Sequence, residues 1–175
     1  MNISGVSTTF QQRRELESMS PNRLAKYQLG RLNQLLAEIL PGNRFYADHL
    51  RDVSLPIRSL DDLTALPCTF KNQISPDGGH FAKNLTYDVE RYCRFHRTSG
   101  TRGRPLTVLD TAEDWQWWID TWQFVLDSAR IGPSDRLLMA FSFGPFIGFW
   151  SAFDAAIARG SMCIPTGGLT TLSRL

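Results

Sequence analysis

The chain has 175 residues, a formal net charge of +2, 42% hydrophobic residues and 21% charged residues. These values are typical of one ordinary globular domain, and they exclude a strongly basic protein drawn to nucleic acid or membranes by its overall charge. Three scattered cysteines and three isolated histidines argue against a disulfide framework and a zinc site, and they favour a reducing, cytoplasmic setting. Neither a leader peptide nor a membrane-spanning segment is expected.

The first half of the chain is predicted to be helical. Residues 1–9 are polar and predict a flexible tail. Ser20 and Pro21 are typical of a helix start, and apolar residues then recur at helical spacing until Pro41. Shorter helices follow, and Lys71 in one of them is interpreted as a surface lysine. Residues 10–90 are therefore expected to form a mainly helical segment, and residues 91–175 an α/β segment.

A loop between two predicted strands is the best candidate binding site. Arg91–His96 and Leu106–Leu109 favour strands joined as a hairpin, and five arginines but no acid lie between Arg91 and Leu109. Glycine amides, hydroxyls and guanidinium groups suit phosphate oxygens, although an ordinary turn with solvated arginines has the same composition. The loop has neither Walker nor dinucleotide-binding spacing, and no aromatic series accompanies the arginines as in nucleic-acid binders. The candidate phosphate ligands are Thr98, Ser99, Gly100, Thr101, Arg102, Gly103 and Arg104.

The pattern after this hairpin predicts a βαβ unit. Thr111 is expected to cap a long helix. Leu137–Phe141 then predicts a buried, parallel strand, Phe149–Arg159 a helix, and Ser161–Ile164 the next strand. Ligands bind beyond the carboxyl ends of strands in such sheets, so the segment after the first strand is a candidate acyl pocket. The alternative interpretation is that its aromatic residues only cap the sheet. The candidate pocket residues are Phe143, Gly144 and Phe146.

The run from His96 to Pro105 resembles the phosphate loop of adenylate-forming enzymes, with Arg102 and Arg104 where that family usually has threonine and lysine. The preceding histidine, and the succession from Arg44 to Lys71, resemble phenylacetate–coenzyme A ligases. The resemblance implies an incomplete N-terminal portion of that fold, with ATP and magnesium as cofactors, coenzyme A as co-substrate, and a small aromatic or other carboxylic acid as substrate. It also implies that later motifs lie beyond Leu175, so the chain is expected to be truncated or a degenerate gene product.

Two functions follow from the sequence. The first is an N-terminal piece of an ATP-dependent acid–coenzyme A ligase that is inactive alone. The second is a non-enzymatic phosphate-binding or interaction module derived from such an enzyme, meeting a missing C-terminal part or a partner chain. No residue is assigned as a general base, nucleophile or metal ligand.

Overall fold

The predicted order of elements, helices first and then an α/β segment, is found in the computed structural model, which describes residues 5–78, 80–100 and 104–174. These residues divide into two compact units. The described residues within Met1–Arg13 and Cys93–Leu175 form an α/β unit, and Arg14–Tyr92 form a helical unit. No helix of the described residues is both long and apolar enough to cross a membrane.

The helical unit is built around α2, whose start follows the sequence signal. Pro21 is the first residue of α2 and directly follows the N-cap residue Ser20. The core contains Leu36, Leu50 and Ile57, whereas Leu35, predicted to share the packing face of α2, is half exposed. The helices at this end of the chain are α1 (Phe10–Glu17), which crosses the unit boundary, α2 (Pro21–Ile39), α3 (Arg44–His49) and α4 (Lys71–Ile74), with 3-10 turns at Leu60–Ala65 and Val89–Arg91.

The α/β unit contains two small sheets. Strands β1 (Arg94–Arg97) and β2 (Thr107–Asp110) pair antiparallel, which confirms the predicted hairpin. Helix α5 (Ala112–Ser128) follows. Strands β3 (Arg136–Met139) and β4 (Met162–Pro165) pair parallel around α6 (Ile147–Ala158), as predicted for a βαβ unit, and α7 (Thr171–Arg174) comes last.

Helix α5 starts at the predicted cap. The Thr111 hydroxyl accepts a hydrogen bond from the Asp114 amide at 3.1 Å, and the Asp114 carboxylate accepts one from the Thr111 amide at 2.9 Å. This reciprocal pair satisfies two amides that the helix leaves without partners. Trp115 and Ile119 of α5 are buried, and Trp115 Nε1 donates a hydrogen bond to Asp154 of α6 at 2.9 Å.

The βαβ sheet differs from the prediction in its burial. Met139 is buried, but Leu138 is 51% exposed and Met162 is 58% exposed. The prediction of a buried strand is therefore wrong for Leu138. Side chains alternate between the two faces of a strand. The face that carries Leu138 also carries Met162 and Ile164 of β4, and all three side chains are exposed.

The described part of the predicted tail is hydrogen-bonded to α5. The Ser7 amide donates to the Asp120 carboxylate at 2.9 Å, and the Gln116 side chain donates to the Gly5 carbonyl at 3.2 Å. These contacts position residues 5–9 along the helix. The flexibility expected for residues 1–9 stays a prediction.

A buried carboxylate fixes α1 and α6 to α5. Asp127 Oδ2 accepts a hydrogen bond from Arg13 Nε at 2.6 Å, and Asp127 Oδ1 accepts one from Arg13 Nη2 at 3.0 Å and lies 2.6 Å from Arg159 Nη2. Arg159 also donates to the Ile131 carbonyl at 2.6 Å. The hydrogen bonds from Arg13, reinforced by those from Arg159, hold the pKa of Asp127 below its ordinary value despite burial.

We expect Asp127→Asn to lower the free energy of unfolding at neutral pH by about 3–5 kcal/mol, because it leaves the buried guanidinium of Arg13 and the partly buried one of Arg159 without a counter-charge. A carboxylate with a lowered folded pKa stabilises the protein above its unfolded pKa and loses this effect as pH falls. The difference from the parent chain should therefore shrink below about pH 4. Urea unfolding over a pH series measures it.

The control is Asp52→Asn, which removes an exposed carboxylate 3.7 Å from Arg51. Exposed pairs contribute less than about 1 kcal/mol, so this variant should unfold close to the parent chain at every pH. Equal losses for the two variants would show that Asp127 has no special role.

Candidate phosphate-binding site

The hairpin loop places part of the predicted phosphate site at the end of β1. Thr98, Ser99, Gly100 and Arg104 lie within the described residues, whereas Thr101, Arg102 and Gly103 lie outside them. Gly100 has a φ of +70°, a conformation that residues with a side chain rarely adopt. The glycine of the motif is thus required by the backbone at this point.

Thr98 closes the base of the loop. Its amide donates to the Leu106 carbonyl at 3.0 Å, and its hydroxyl accepts from the Leu106 amide at 2.9 Å. The Thr98 amide is therefore used within the protein and is not available to a ligand. A hydroxyl that accepts one hydrogen bond still has its own proton to donate, so the predicted role of Thr98 narrows to that proton.

Ser99, Gly100 and Arg104 carry the donors that remain. Within the described residues, the amides of Ser99 and Gly100 donate no hydrogen bond to the protein. Ser99 and Arg104 are exposed. Free amides, a hydroxyl and a guanidinium on one loop are the donors that suit a phosphate group, and their role as ligands stays a prediction.

One backbone hydrogen bond connects this loop to the predicted acyl pocket. The Arg97 amide donates to the Pro145 carbonyl at 2.6 Å. Pro145 lies between Gly144 and Phe146, in the segment that follows β3 and precedes α6. The sequence predicted each segment separately but gave no signal that they meet. The fold brings the anion loop and the aromatic segment together.

The aromatic segment divides into a packed side chain and an open one. Phe143 contacts the rings of Trp150 at 4.8 Å and Phe153 at 5.3 Å between centroids. Phe146 is 38% exposed and makes an edge contact with Phe149. These contacts fit sheet capping for Phe143 and leave Phe146 accessible to a ligand. The pocket itself stays a prediction.

Gly144 is constrained by the same segment. A Cβ at this position would lie 2.8 Å from the Phe146 ring, which is closer than real Cβ contacts allow. The Gly144 carbonyl accepts a hydrogen bond from Trp150 Nε1 at 3.0 Å. A side chain at Gly144 would push Phe146 from its position.

Charged and aromatic side chains are buried beneath the hairpin. His96 is 4% exposed, its Nδ1 lies 3.0 Å from Asp110 Oδ2, and its ring stacks on Trp115 at 5.2 Å. The sequence linked His96 only to the family resemblance and gave Asp110 no role. The sequence spacing of His96 and Asp110 could not reveal this contact, because the two residues lie diagonally across the paired strands, where His96 is opposite Val108 and Asp110 is opposite Arg94.

A second carboxylate extends this arrangement to α6. Asp154 accepts a hydrogen bond from Arg94 at 2.7 Å and another from Trp115 Nε1 at 2.9 Å. The Arg94 guanidinium also lies 4.4 Å from the centre of the Trp115 ring. An acid in the middle of a strongly apolar helix was the only available sequence signal for Asp154. The contacts fix β1, α5 and α6 in one arrangement below the loop.

Asp110 and Asp127, two carboxylates of the α/β unit, have pKa values shifted in opposite directions. Burial raises the pKa of Asp110 above its ordinary value, and the hydrogen bond and charge of His96 only partly oppose this effect. Asp127 has two arginine partners and a lowered pKa. Among the described residues, no group of three or more His, Cys, Asp or Glu side chains could hold a metal ion.

Comparison with known proteins identifies relatives of one kind by sequence. The phenylacetate–coenzyme A ligase of Escherichia coli is 32% identical over 111 residues, which cover 63% of this chain and 25% of that ligase. The phenylacetate–coenzyme A ligase of Thermus thermophilus is 29% identical over 161 residues, 89% of this chain and 36% of that ligase. No protein-family model matches the chain. The chain spans about a quarter to a third of the length of these relatives.

Solved structures confirm the predicted fold class. A 2-hydroxyisobutyryl-CoA ligase in complex with 2-HIB-AMP and CoA, in its thioesterification state, matches with a TM-score of 0.81 at 22% identity. The match covers 94% of this chain and 36% of that ligase. An open conformation with 2-HIB-AMP and CoA matches with a TM-score of 0.77 over 88% of this chain. The described α/β and helical units are therefore part of an acyl-CoA ligase fold.

We expect Asp110→Asn to have a pH dependence opposite to that of Asp127→Asn. A raised folded pKa means that the Asp110 carboxyl stabilises the protein most below its unfolded pKa, and loses this contribution as pH rises through the folded value. The stability difference between the parent chain and Asp110→Asn should therefore be largest in acid and smaller at neutral pH. Urea unfolding of both variants over one pH series makes the comparison, and parallel pH trends would contradict it.

Proposed function

We propose that this chain, which is phenylacetate–coenzyme A ligase-like in sequence, forms the phosphate-loop part of an ATP-dependent (aryl)acid–coenzyme A ligase of the adenylate-forming type. The observation that carries the proposal is the hydrogen bond from Arg97 to Pro145, because it joins the loop to the aromatic segment. A reaction between a carboxylate and a phosphate requires such neighbouring sites. Since the chain spans about a third of its relatives, the complete activity is that of a longer protein.

The loop residues hold the pyrophosphate end of ATP. The amides of Ser99 and Gly100 and the hydroxyl of Thr98 donate to phosphate oxygens, and the Arg104 guanidinium neutralises their charge. Thr101, Arg102 and Gly103 complete this set by resemblance. When bound, ATP supplies an electrophilic phosphorus and a pyrophosphate leaving group. The chain's contribution is to position that group and stabilise the charge that develops on it.

The aromatic segment holds the acid. Phe146 offers an accessible ring, Gly144 gives room for it, and Phe143 supports the segment from within the aromatic cluster. A small aromatic or other carboxylic acid would bind with its apolar part on this surface and its carboxylate towards the loop.

Magnesium and coenzyme A are inferred only from the resemblance to the ligase family. Magnesium would accompany ATP, but the described residues offer no cluster of ligands for it, so no step is assigned to the ion. Coenzyme A would accept the acyl group in the complete enzyme. We place the enzyme in the cytoplasm, with no nucleic-acid or membrane partner.

A second candidate function is a non-enzymatic phosphate-binding or interaction module. The exposed face of the β3–β4 sheet favours a further contact, since it displays Leu138, Met162 and Ile164. The remaining part of a ligase or a separate partner chain would each cover this face. In this reading the loop binds phosphate without catalysis.

We expect Arg104→Gln to weaken ATP binding by about ten- to a hundredfold, since a hydrogen bond to a charged group contributes about 1.5–3 kcal/mol. Isothermal titration calorimetry of the parent chain and the variant provides the measurement. Arg136→Gln is the matched control, because Arg136 is exposed at the start of β3, at the strand end opposite the aromatic segment. Absence of ATP binding by the parent chain, or equal losses in both variants, would overturn the assignment of the loop.

We also expect no adenylation by this chain alone, because none of its residues is assigned as a general base, nucleophile or metal ligand. Exchange of labelled pyrophosphate into ATP in the presence of aryl acids is the measurement. Turnover above a no-protein blank would contradict the inactivity. A longer product of the same gene that restores exchange would support the ligase over the module.

A further inference from the structure

A cationic cleft lies in the helical unit, within a different part of the chain from the phosphate loop. Its volume is about 640 Å³. Three of its lining residues are basic and one is acidic, so its net charge is positive. The lining residues are Gly42, Arg44, Lys83, Leu85, Thr86, Tyr87, Asp88 and Arg91.

The backbone of this cleft is held by side-chain hydrogen bonds. Asn43 is 2% exposed, and its amide donates to the Asn84 carbonyl at 2.8 Å and to the Thr86 hydroxyl at 3.0 Å. From the other side, the Tyr92 hydroxyl accepts from the amides of Thr86 and Tyr87 at 3.0 and 3.1 Å. The wall that follows Asn84 is therefore fixed before any ligand binds, and preorganised sites lose less entropy on binding.

Gly42 brings a second wall close to the first. A Cβ at Gly42 would lie 2.5 Å from the Thr86 carbonyl oxygen, which no side chain can tolerate without moving the backbone. The absence of a side chain allows the turn after α2 to contact the segment that carries Thr86. This close contact places Arg44, two residues later, at the cleft.

The three cations reach the cleft from separate segments. Arg44 begins α3, Lys83 lies in the loop after α4, and Arg91 ends a 3-10 turn. The Arg91 guanidinium lies 4.6 Å from the centre of the Tyr87 ring, a stacked position that a planar guanidinium readily adopts. Convergence of separate segments on one concavity is a feature of binding sites rather than of a uniformly charged surface.

The existing partner of Lys83 does not prevent it from binding an anion. Lys83 Nζ lies 2.5 Å from Asp77 Oδ2, and the Asp77 side chain is 86% exposed. An ion pair this exposed contributes at most about 1 kcal/mol, so exchange of the carboxylate for a ligand anion costs little. Asp88, also on the lining, leaves an excess of two positive charges.

We propose that this cleft binds a phosphate group of a small anionic ligand, as a second site separate from the hairpin loop. A phosphate dianion matches the excess charge of the cleft, and forked arginine donors match its oxygens. The site is assigned from the helical unit alone, so it does not depend on the ligase function proposed above. Free inorganic phosphate, pyrophosphate and the phosphate of a nucleotide share this chemistry.

The test measures binding of inorganic phosphate, pyrophosphate and AMP to the full chain by calorimetry at low salt. We expect Arg44→Gln to weaken binding at the cleft about tenfold, the loss of one charge-assisted contact. Arg58→Gln is the matched control, because Arg58 is an exposed arginine of the same unit that does not line the cleft. The affinity of Arg58→Gln for phosphate should equal that of the parent chain.

Arg104→Gln separates this site from the loop. If Arg104→Gln removes all binding while Arg44→Gln has no effect, the cleft proposal is overturned and the loop assignment stands. If the circular dichroism spectrum shows that Arg44→Gln does not fold, Lys83→Gln tests the same cleft independently. We expect Lys83→Gln to weaken phosphate binding as well. Equal losses of affinity in the cleft variants and in Arg58→Gln would overturn the proposal, because they would show that only the overall charge of the protein attracts the anion. Binding of AMP, without binding of inorganic phosphate or pyrophosphate, would identify a nucleotide phosphate as the ligand.

Discussion

The hydrogen-bonded carboxylate of Asp154 is the interaction on which the α/β unit depends. It accepts from Arg94 on the hairpin and from Trp115 on α5, while it belongs to α6 itself. A buried carboxylate with two donors is stable only when both are in place, because each one offsets part of its desolvation cost. This requirement holds β1 of the hairpin in place against α5 and α6.

The helices and the βαβ order were predictable because they depend on local signals. Thr111 caps α5 with Asp114, as its position in the sequence indicates, and Gly100 adopts the left-handed conformation that its motif requires. Parallel pairing of β3 with β4 follows from a helix between two short apolar runs. Such features need only a few neighbouring residues.

The polar contacts beneath the loop could not be predicted, because they join residues far apart in the chain. Side chains alternate along β1, so Phe95 and His96 point to opposite faces of the strand. Hydrophobicity alone predicts that Phe95 is the buried one of the two, but Phe95 is 51% exposed. The structure buries His96, since Asp110 and Trp115 together provide a partner and a stacking surface. Partners of this kind become visible only when the strands and helix are assembled.

The bond between Arg97 and Pro145 joins main-chain atoms only. Its geometry is therefore indifferent to which side chains stand at either position, apart from a proline at residue 97, which would remove the donor. Side chains in the hairpin and in the segment after β3 can therefore change through evolution while the spacing between these two segments is retained.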